Sequence, residues 1–169
     1  MQLRGSHLHN SLDIMTLKNV TLKKISTKED ILKCVRHYIS NPHIDTNFLP
    51  ADESMSFINL KGHVIRKAYA KMATDETGNV LAWLLAEKMR FQFCPLPSYK
   101  QLFYSCNEHG VKAVKLLRLL HDDLIETARS ENQRMVVSGG SWNDEHNVFA
   151  KILEKYGWER RGYLAIFYL

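Results

Sequence analysis

A glycine in the turn before a long helix is the feature of this sequence best suited to binding a ligand. The turn comprises Asn107-Glu108-His109-Gly110 and joins a strand predicted over residues 101–106 to a helix predicted over residues 113–130. Gly110 allows consecutive backbone N–H groups to point outward together, and the helix adds partial positive charge behind them. This combination binds phosphate groups without requiring a particular side chain. The alternative interpretation is that Gly110 only permits a turn.

Three basic side chains, Lys112, Lys115 and Arg118, lie near the start of the helix that follows this turn. They either add charge to a bound phosphate or form an ordinary solvated helix face. The helix itself is indicated by an apolar stripe at helical spacing, which consists of Ala113, Leu117, Leu120, Leu124 and Ala128.

The composition limits the protein to a few broad classes. The chain has 169 residues, of which 45% are apolar and 24% charged, as in a globular domain that can bury its own core. We expect residues 1–14 to be a disordered leader or a tag remnant and residues 15–169 to form a single domain. The longest apolar run is too short to cross a bilayer and no secretory signal is evident. We therefore expect a cytoplasmic protein with no membrane partner.

Charge, cysteine and histidine usage argue against several kinds of partner. The net charge is +5 and the basic residues are dispersed, whereas nucleic-acid binding favours a dense basic stripe. Cys34, Cys94 and Cys106 have no C-x-x-C spacing, which argues against a disulfide framework and a zinc site. The eight histidines lack paired ligand spacing as well, so we predict no metal.

The order of predicted elements indicates a mixed sheet. A strand over residues 20–25 is followed by a helix that begins after Thr27, three residues before Asp30 as in a capping box, and ends near Pro42. Because strands and helices do not strictly alternate afterwards, we predict an α/β (α+β) fold with a mixed sheet of about six or seven strands flanked by about four helices. The later elements are a helix opened by residues 50–53, strands over 69–74, 80–91, 101–106 and 135–138, an extended loop over 93–97, the long helix, a last helix ended by Gly157, and one or two strands over 158–169.

From about Leu22 to the C terminus, the chain resembles the GNAT superfamily of acyl-CoA-dependent N-acetyltransferases. Residues 107–113 look like the Arg/Gln-x-x-Gly-x-Gly/Ala loop that binds pyrophosphate in this family. His146-Asn147 and Lys155-Tyr156-Gly157-Trp158 look like the family's Asn-rich helix start and its lysine-x-glycine-aromatic close. The resemblance implies a GNAT-like central mixed twisted sheet, acetyl-CoA as co-substrate and acetyl transfer to an amine of a small molecule or a protein.

The resemblance also implies which residues bind the cofactor and which act in catalysis. Glu87 and Glu108 are the candidate general bases for the amine, and water is the alternative base. The alternative interpretation of each glutamate is an ordinary surface carboxylate. Tyr156 is the candidate general acid, because Leu153 occupies the position of the family's usual tyrosine, four residues before the final glycine. Backbone N–H groups of the strand over residues 103–106 are the candidate donors to the tetrahedral oxyanion. The cofactor-binding set is Tyr104, Ser105, Cys106, Asn107, Glu108, His109, Gly110, Val111, Lys112, Ala113 and Asn147.

Three departures from the family pattern keep a second function open. Asn107 replaces the usual Arg or Gln, Lys112 stands at a small-residue position, and Leu153 replaces the tyrosine. The short, divergent chain looks most like phage-encoded members, so the second hypothesis is a catalytically silent GNAT-shaped structural or inhibitory protein, such as a phage component. A nucleic-acid-directed module is the third hypothesis, which the dispersed charge disfavours. A homodimer is compatible with each of the three.

Overall fold

The computed structural model describes Leu17 and residues 19–41, 52–66, 69–91, 94–139, 148–161 and 164–169. The described strands are β1 (Thr21–Lys24), β2 (Tyr69–Thr74), β3 (Val80–Phe91), β4 (Cys94–Cys106), β5 (Met135–Gly139), β6 (Glu159–Arg161) and β7 (Leu164–Tyr168). The described helices are α1 (Lys28–Ile39), α2 (Glu53–Ile65), α3 (Gly110–Ser130) and α4 (Val148–Lys155).

One mixed sheet contains all the described strands, in the order β1-β2-β3-β4-β5-β7-β6. Neighbouring strands run antiparallel except for β4 and β5, which are parallel. Parallel strands need a crossover, and α3 supplies it by returning the chain between β4 and β5. The predicted mixed sheet with flanking helices is therefore confirmed, and the segment after α4 forms two strands.

Helices cover both faces of the sheet because side chains alternate between the faces along each strand. On one face, Leu84 of β3 shares a core cluster with Leu120 and Leu124 of α3. On the other face, Trp83 and Leu85 of β3 share a second cluster with residues of α1 and α2. The sheet thus separates an α3 side from an α1/α2 side, and β3 and β4 run between them.

The N-terminus of α1 has the capping box that the sequence predicted. Thr27 Oγ1 accepts a hydrogen bond from the Asp30 backbone N–H (3.1 Å), and Asp30 Oδ2 accepts one from the Thr27 N–H (3.2 Å). Lys23 Nζ on β1 lies 2.6 Å from the buried Asp30 carboxylate. Burial alone would raise the pKa of Asp30, but these hydrogen bonds outweigh it and hold the pKa below its ordinary value. The charged carboxylate therefore anchors α1 to β1.

The segment with two prolines is a strand, so the extended loop predicted for it is wrong. β4 begins at Cys94, and Pro97 pairs with Arg90 of β3. Proline excludes a helix, but its φ suits extended backbone, and its missing N–H is tolerated where the pairing is irregular. The register shifts between Arg90 and Phe91, opposite this segment. β4 is consequently long enough to begin its parallel ladder with β5 at Ser98.

Several predictions concern features that the described residues only partly cover. The predicted leader, residues 1–14, lies outside them. Within the described part of the chain, no helix combines the length and the apolar character needed to cross a bilayer. The same residues include no cluster of three or more His, Cys, Asp or Glu side chains placed to bind a metal ion.

Candidate active site

The two parallel strands pair over only part of their length. The ladder with β5 extends from Ser98 to Gln101 of β4. β4 continues to Cys106, whereas β5 ends at Gly139. Among the described strands, none pairs with the β5-facing edge of β4 beyond Gln101. Backbone polar groups on this edge are therefore available to a ligand.

A β-bulge lies directly beyond the last rung of this ladder. Leu85 of β3 pairs with Phe103, whereas the next residue, Ala86, pairs with Gln101, so Leu102 has no partner on β3. A bulge bends its strand and turns local N–H and C=O groups away from the ladder. β4 therefore changes direction at the point where it separates from β5.

A buried polar network joins β4, β5 and α3 at this point. Gln101 Oε1 accepts a hydrogen bond from Ser138 Oγ (2.8 Å) and lies 2.7 Å from His121 Nε2. The other ring nitrogen, His121 Nδ1, lies 2.8 Å from the Leu117 carbonyl. Burial lowers the pKa of His121 to about 4, which keeps the ring neutral, so one of its two nitrogens carries a proton to donate to these oxygens.

The glycine turn leads directly into α3, which begins three residues before its predicted start. Gly110 has φ +58, and a Cβ added there would meet nothing within 4 Å. His109 is the N-cap residue and makes no side-chain capping hydrogen bond. Because the first N–H groups of a helix have no intrahelical partner, those of Gly110, Val111 and Lys112 point out of the helix end. This end is suited to binding an anion.

Charge at the glycine turn is partly compensated within the protein. Lys112 Nζ lies 2.8 Å from Glu108 Oε1, one helical turn before it. Arg118 Nε lies 3.3 Å from Asp122 Oδ2 further along α3. Glu108 is thus an ion-pair partner of Lys112 at the N-terminal end of α3.

Asn107 ties the turn to the end of α1 through its side chain. Its Nδ2 donates to the His37 carbonyl (3.0 Å) and lies 3.2 Å from Ser40 Oγ. In the reverse direction, Asn41 Nδ2 donates to the Cys106 carbonyl (3.2 Å). The side chain that replaces the family's Arg or Gln therefore holds the turn against the end of α1.

The residues just before the turn point to opposite faces of the sheet. Ser105 Oγ lies 3.3 Å from His37 Nδ1 on the α1 side, and His37 Nε2 lies 3.1 Å from the Leu81 carbonyl. The Tyr104 ring lies on the other side, with its centroid 5.9 Å from that of His121. Burial raises the pKa of Tyr104, so its hydroxyl stays protonated. The side chains of Ser105 and Tyr104 are thus directed to the α1 side and to the α3 side of the sheet respectively.

The two catalytic candidates outside the turn have contrasting surroundings. Glu87 pairs with Lys100 on β4 and contacts His63 and Arg66 of α2, with 3.3 Å from its Oε1 to Arg66 Nη2. Burial alone would raise the pKa of Glu87, but these two partners outweigh it and lower the pKa. The carboxylate is therefore ionised and sits on the α1/α2 side of the sheet.

Tyr156 lies against α3. Its ring centroid is 4.9 Å from the Arg118 guanidinium carbon, and the residue is 37% exposed. Leu153, at the family's tyrosine position, is only 2% exposed and belongs to the core on the α3 side. Asn147, the remaining cofactor-binding candidate, lies outside the described residues.

A cavity of about 330 Å³ lies between the sheet and the two first helices. Most of its wall is apolar, and the polar groups are concentrated on α2. Leu102, the bulge residue, and Phe103 next to it form part of this wall. The lining residues are Val35, Tyr38, Met55, Ser56, Asn59, Leu60, His63, Trp83, Leu85, Leu102 and Phe103.

No protein-family model matches the sequence, and no curated protein matches it. The fold, in contrast, is similar to those of several solved structures. An N-acetyltransferase from Staphylococcus aureus Mu50 has a TM-score of 0.65 and 18% identity, over 89% of this chain and 98% of that chain. A GNAT superfamily phosphinothricin acetyltransferase from Sinorhizobium meliloti, in complex with acetyl-CoA, has a TM-score of 0.66 and 16% identity, over 89% of both chains. A GNAT family acetyltransferase from Brucella melitensis, also in complex with acetyl-CoA, has a TM-score of 0.60 and 14% identity, over 89% of this chain and 88% of that chain. The chain has the GNAT fold.

The GNAT fold brings some predicted site residues together and separates others. Residues 104–113 form one continuous path along the free end of β4, through the glycine turn and into α3. Glu87 lies on the α1/α2 side, whereas Glu108 is at the helix end. Tyr156 contacts the flank of α3.

Sequence reasoning missed four polar residues of this GNAT-fold site. Gln101, His121 and Ser138 form the buried network, and His63 lies beside Glu87. One signal was present, because His121 falls next to the apolar stripe of α3, where a polar side chain must find a buried partner. The partners themselves come from other elements, and no spacing within the sequence indicates them.

Proposed function

We propose that this protein is a GNAT-family acetyltransferase that transfers the acetyl group of acetyl-CoA to an amine. The bulge at Leu102 supports this proposal most strongly, because it frees the backbone of β4 between the end of the β5 ladder and the turn at Gly110. A thioester bound along this edge would have its pyrophosphate near the end of α3 and its acetyl group near the bulge. The similar structures from S. meliloti and B. melitensis contain acetyl-CoA.

In this proposal, the backbone of residues 106–113 holds the pyrophosphate. The N–H groups of Gly110, Val111 and Lys112 supply donors, and the partial positive charge of α3 adds to them. Lys112 contributes only the part of its charge that Glu108 leaves uncompensated. A Cβ added at Gly110 would meet nothing within 4 Å, so the surroundings of the first residue of α3 are open.

Acetyl transfer requires a neutral amine and a place for the developing negative charge. The amine nitrogen attacks the thioester carbonyl, and a backbone N–H of residues 103–106 donates to the resulting oxyanion. The C–S bond then breaks and the thiolate leaves. A thiol with a pKa near about 8.5 is an acceptable leaving group near neutral pH, so a dedicated acid at the position of Leu153 is not required.

Of the two carboxylates, we propose Glu87 as the one that serves the acceptor. It lies on the same side of the sheet as the cavity, and its register places it one residue after Ala86, which pairs with Gln101 next to the bulge. Glu108 is engaged by Lys112 at the opposite end of the path.

One observation favours the catalytically silent alternative. The side chain of Asn107 is committed to α1, and Leu153 is buried, so two side chains of the usual family site are replaced by structural ones. A protein with these replacements can keep the fold while losing catalysis.

Titration calorimetry with acetyl-CoA, followed by a thiol-release assay over an amine panel, tests the proposal. We expect binding, and release of CoA thiol that depends on an amine. Binding without release for every amine would favour the silent alternative, and no binding at all would refute the proposed function.

A further inference from the structure

His63 and Glu87 form a pair in which a proton on the imidazole nitrogen satisfies the contact with the carboxylate. His63 Nδ1 contacts Glu87 Oε1, and Arg66 Nη2 lies 2.9 Å from the same nitrogen and 3.3 Å from the same oxygen. A carboxylate only accepts hydrogen bonds, so Nδ1 must carry a proton and donate it to Glu87. Arg66 then donates to Glu87, because a protonated Nδ1 cannot accept. Nε2 of His63 remains as the nitrogen that can accept a proton.

This pair stands at the wall of the cavity defined above. His63 lines the cavity together with Leu102 and Phe103, and it is 27% exposed. Glu87 contacts it from β3 and Arg66 from its own helix, while Lys100 is the register partner of Glu87 on β4. Tyr38 and His63 are the titratable side chains among the described lining residues. An imidazole oriented by a carboxylate thus lies in the same cavity as the bulge.

The cavity wall also indicates the kind of molecule it suits. Its lining is largely aliphatic and aromatic, with the Trp83 and Phe103 rings stacked at a centroid distance of 4.9 Å. The polar side chains of the wall, Ser56 and Asn59 beside His63, can pair with a hydrogen-bonding group of the ligand. The volume of about 330 Å³ suits a small ligand rather than a polypeptide segment.

We propose that this cavity binds the acceptor, a primary amine on an aromatic or branched apolar body that carries a hydrogen-bonding group, and that His63 is its general base. This inference rests on the proposed acetyltransferase function. His63 Nε2 takes a proton from the ammonium group, and Glu87 stabilises the imidazolium that forms. The freed amine attacks the thioester carbonyl, the C–S bond breaks and CoA leaves as a thiolate. The amine's second proton passes through water to the thiolate as the amide forms, so acetyl-CoA and the ammonium yield the amide, CoA thiol and the one proton held by His63.

The binding part is tested with tyramine, which has an aromatic body and a hydroxyl group, against spermidine, a polar polyamine. Calorimetry on the full chain, with and without CoA, should show tyramine binding at least tenfold tighter than spermidine. Ser56→Trp, which fills the cavity from α2, should weaken tyramine at least tenfold and leave acetyl-CoA binding unchanged. Ile58→Trp on the same helix is the matched control, because Ile58 is 62% exposed and faces a different groove. Equal tyramine affinity in both variants, or tighter spermidine binding, would overturn the inference.

The catalytic part is tested with His63→Gln and His63→Ala. We expect kcat to fall at least tenfold with little change in the KM for acetyl-CoA, and the acid limb of the kcat/KM profile to disappear. Added imidazole should restore part of the activity of His63→Ala, which a purely structural role would not allow. An unchanged pH profile in His63→Gln would overturn the role of His63.

These outcomes separate the inference from the proposed function on which it rests. Failure of acetyl-CoA to bind would refute the proposed acetyltransferase function, and with it the role of His63 as general base. If acetyl-CoA binds and tyramine does not, the acceptor assignment alone is overturned. A marked preference for octanoyl-CoA over acetyl-CoA that Ser56→Trp abolishes would likewise overturn it, since the cavity would then hold an acyl chain.

Discussion

Gln101 and Ser138 are paired twice, once as the last rung of the β4–β5 ladder and once through side chains that lie 2.8 Å apart. Both residues are buried, and Nε2 of His121 on α3 contacts the same side-chain oxygen of Gln101. The next residue of β4, Leu102, is the bulge. The network therefore fixes the point where the two strands separate, and it does so with hydrogen bonds that cannot be exchanged for water.

Gln101→Leu should destabilise the protein by roughly 1–3 kcal/mol, because it removes the buried amide oxygen that His121 Nε2 contacts and that accepts from the Ser138 hydroxyl. Urea unfolding measures this loss. Adding Ser138→Ala to Gln101→Leu should recover part of the stability, since one orphaned group is then removed. If the double variant is less stable than Gln101→Leu, the side-chain network is not what stabilises this junction.

His121 predicts a pH dependence of stability. Its folded pKa of about 4 lies below the ordinary value of 6.5, so the unfolded chain binds more protons between these values. Stability should therefore fall as the pH drops from about 6.5 to 4, by roughly 3 kcal/mol from this residue. Burial lowers the pKa of His37 too, so the measurement is the difference between wild type and His121→Gln. Parallel curves of unfolding free energy against pH for the two proteins would show that His121 does not contribute to the pH dependence.

Gly110→Ala should weaken acetyl-CoA binding directly, and not only by lowering the stability of the fold. At φ +58 an added Cβ costs about 1–2 kcal/mol in strain, and it is added at the first residue of α3, beside the N–H groups proposed to bind the pyrophosphate. Gly78→Ala is the matched control, because Gly78 has φ +82 and equally open surroundings but lies in the β2–β3 turn. Calorimetry should show normal affinity for the control. Equal losses of affinity in the two variants would remove the turn from the cofactor site.

Glu108→Gln should strengthen acetyl-CoA binding by a few fold at low salt. The change removes a negative charge from the end of α3 and releases Lys112, and an exposed contact of this kind is worth about 0.2–1 kcal/mol. The gain should shrink as salt is added. A large loss of turnover with normal acetyl-CoA binding would instead identify Glu108 as the general base.

Tyr156→Phe should leave both turnover and stability nearly unchanged. The phenylalanine keeps the ring that lies 4.9 Å from the Arg118 guanidinium carbon and removes only the hydroxyl. Steady-state kinetics with a responsive amine tests this. Loss of most of the turnover, with CoA binding intact, would show that Tyr156 is the general acid after all.

The sequence predicted best the elements whose signals are local. The capping box at Thr27, the apolar stripe of α3 and the glycine turn depend on residues within a few positions of one another, and the structure has all three. The extended loop predicted for the segment with Pro95 and Pro97 is wrong because the signal there is only local. Proline rules out a helix locally, but whether extended backbone becomes a strand depends on a neighbour, and β3 supplies it.

By itself, the sequence determined a mixed α/β fold and a glycine turn ahead of a long helix, because these follow from periodicity and backbone preference. Only the tertiary structure decided which side chains surround that turn and the acceptor cavity. Asn107 resembles a cofactor ligand in sequence, yet its side chain forms a hydrogen bond with α1. The proposed role of His63 depends on its contact with Glu87, which the sequence does not indicate. Such pairs join residues 24 to 70 positions apart, and their geometry is set by the register of β3 and β4 and by the packing of helices on both faces.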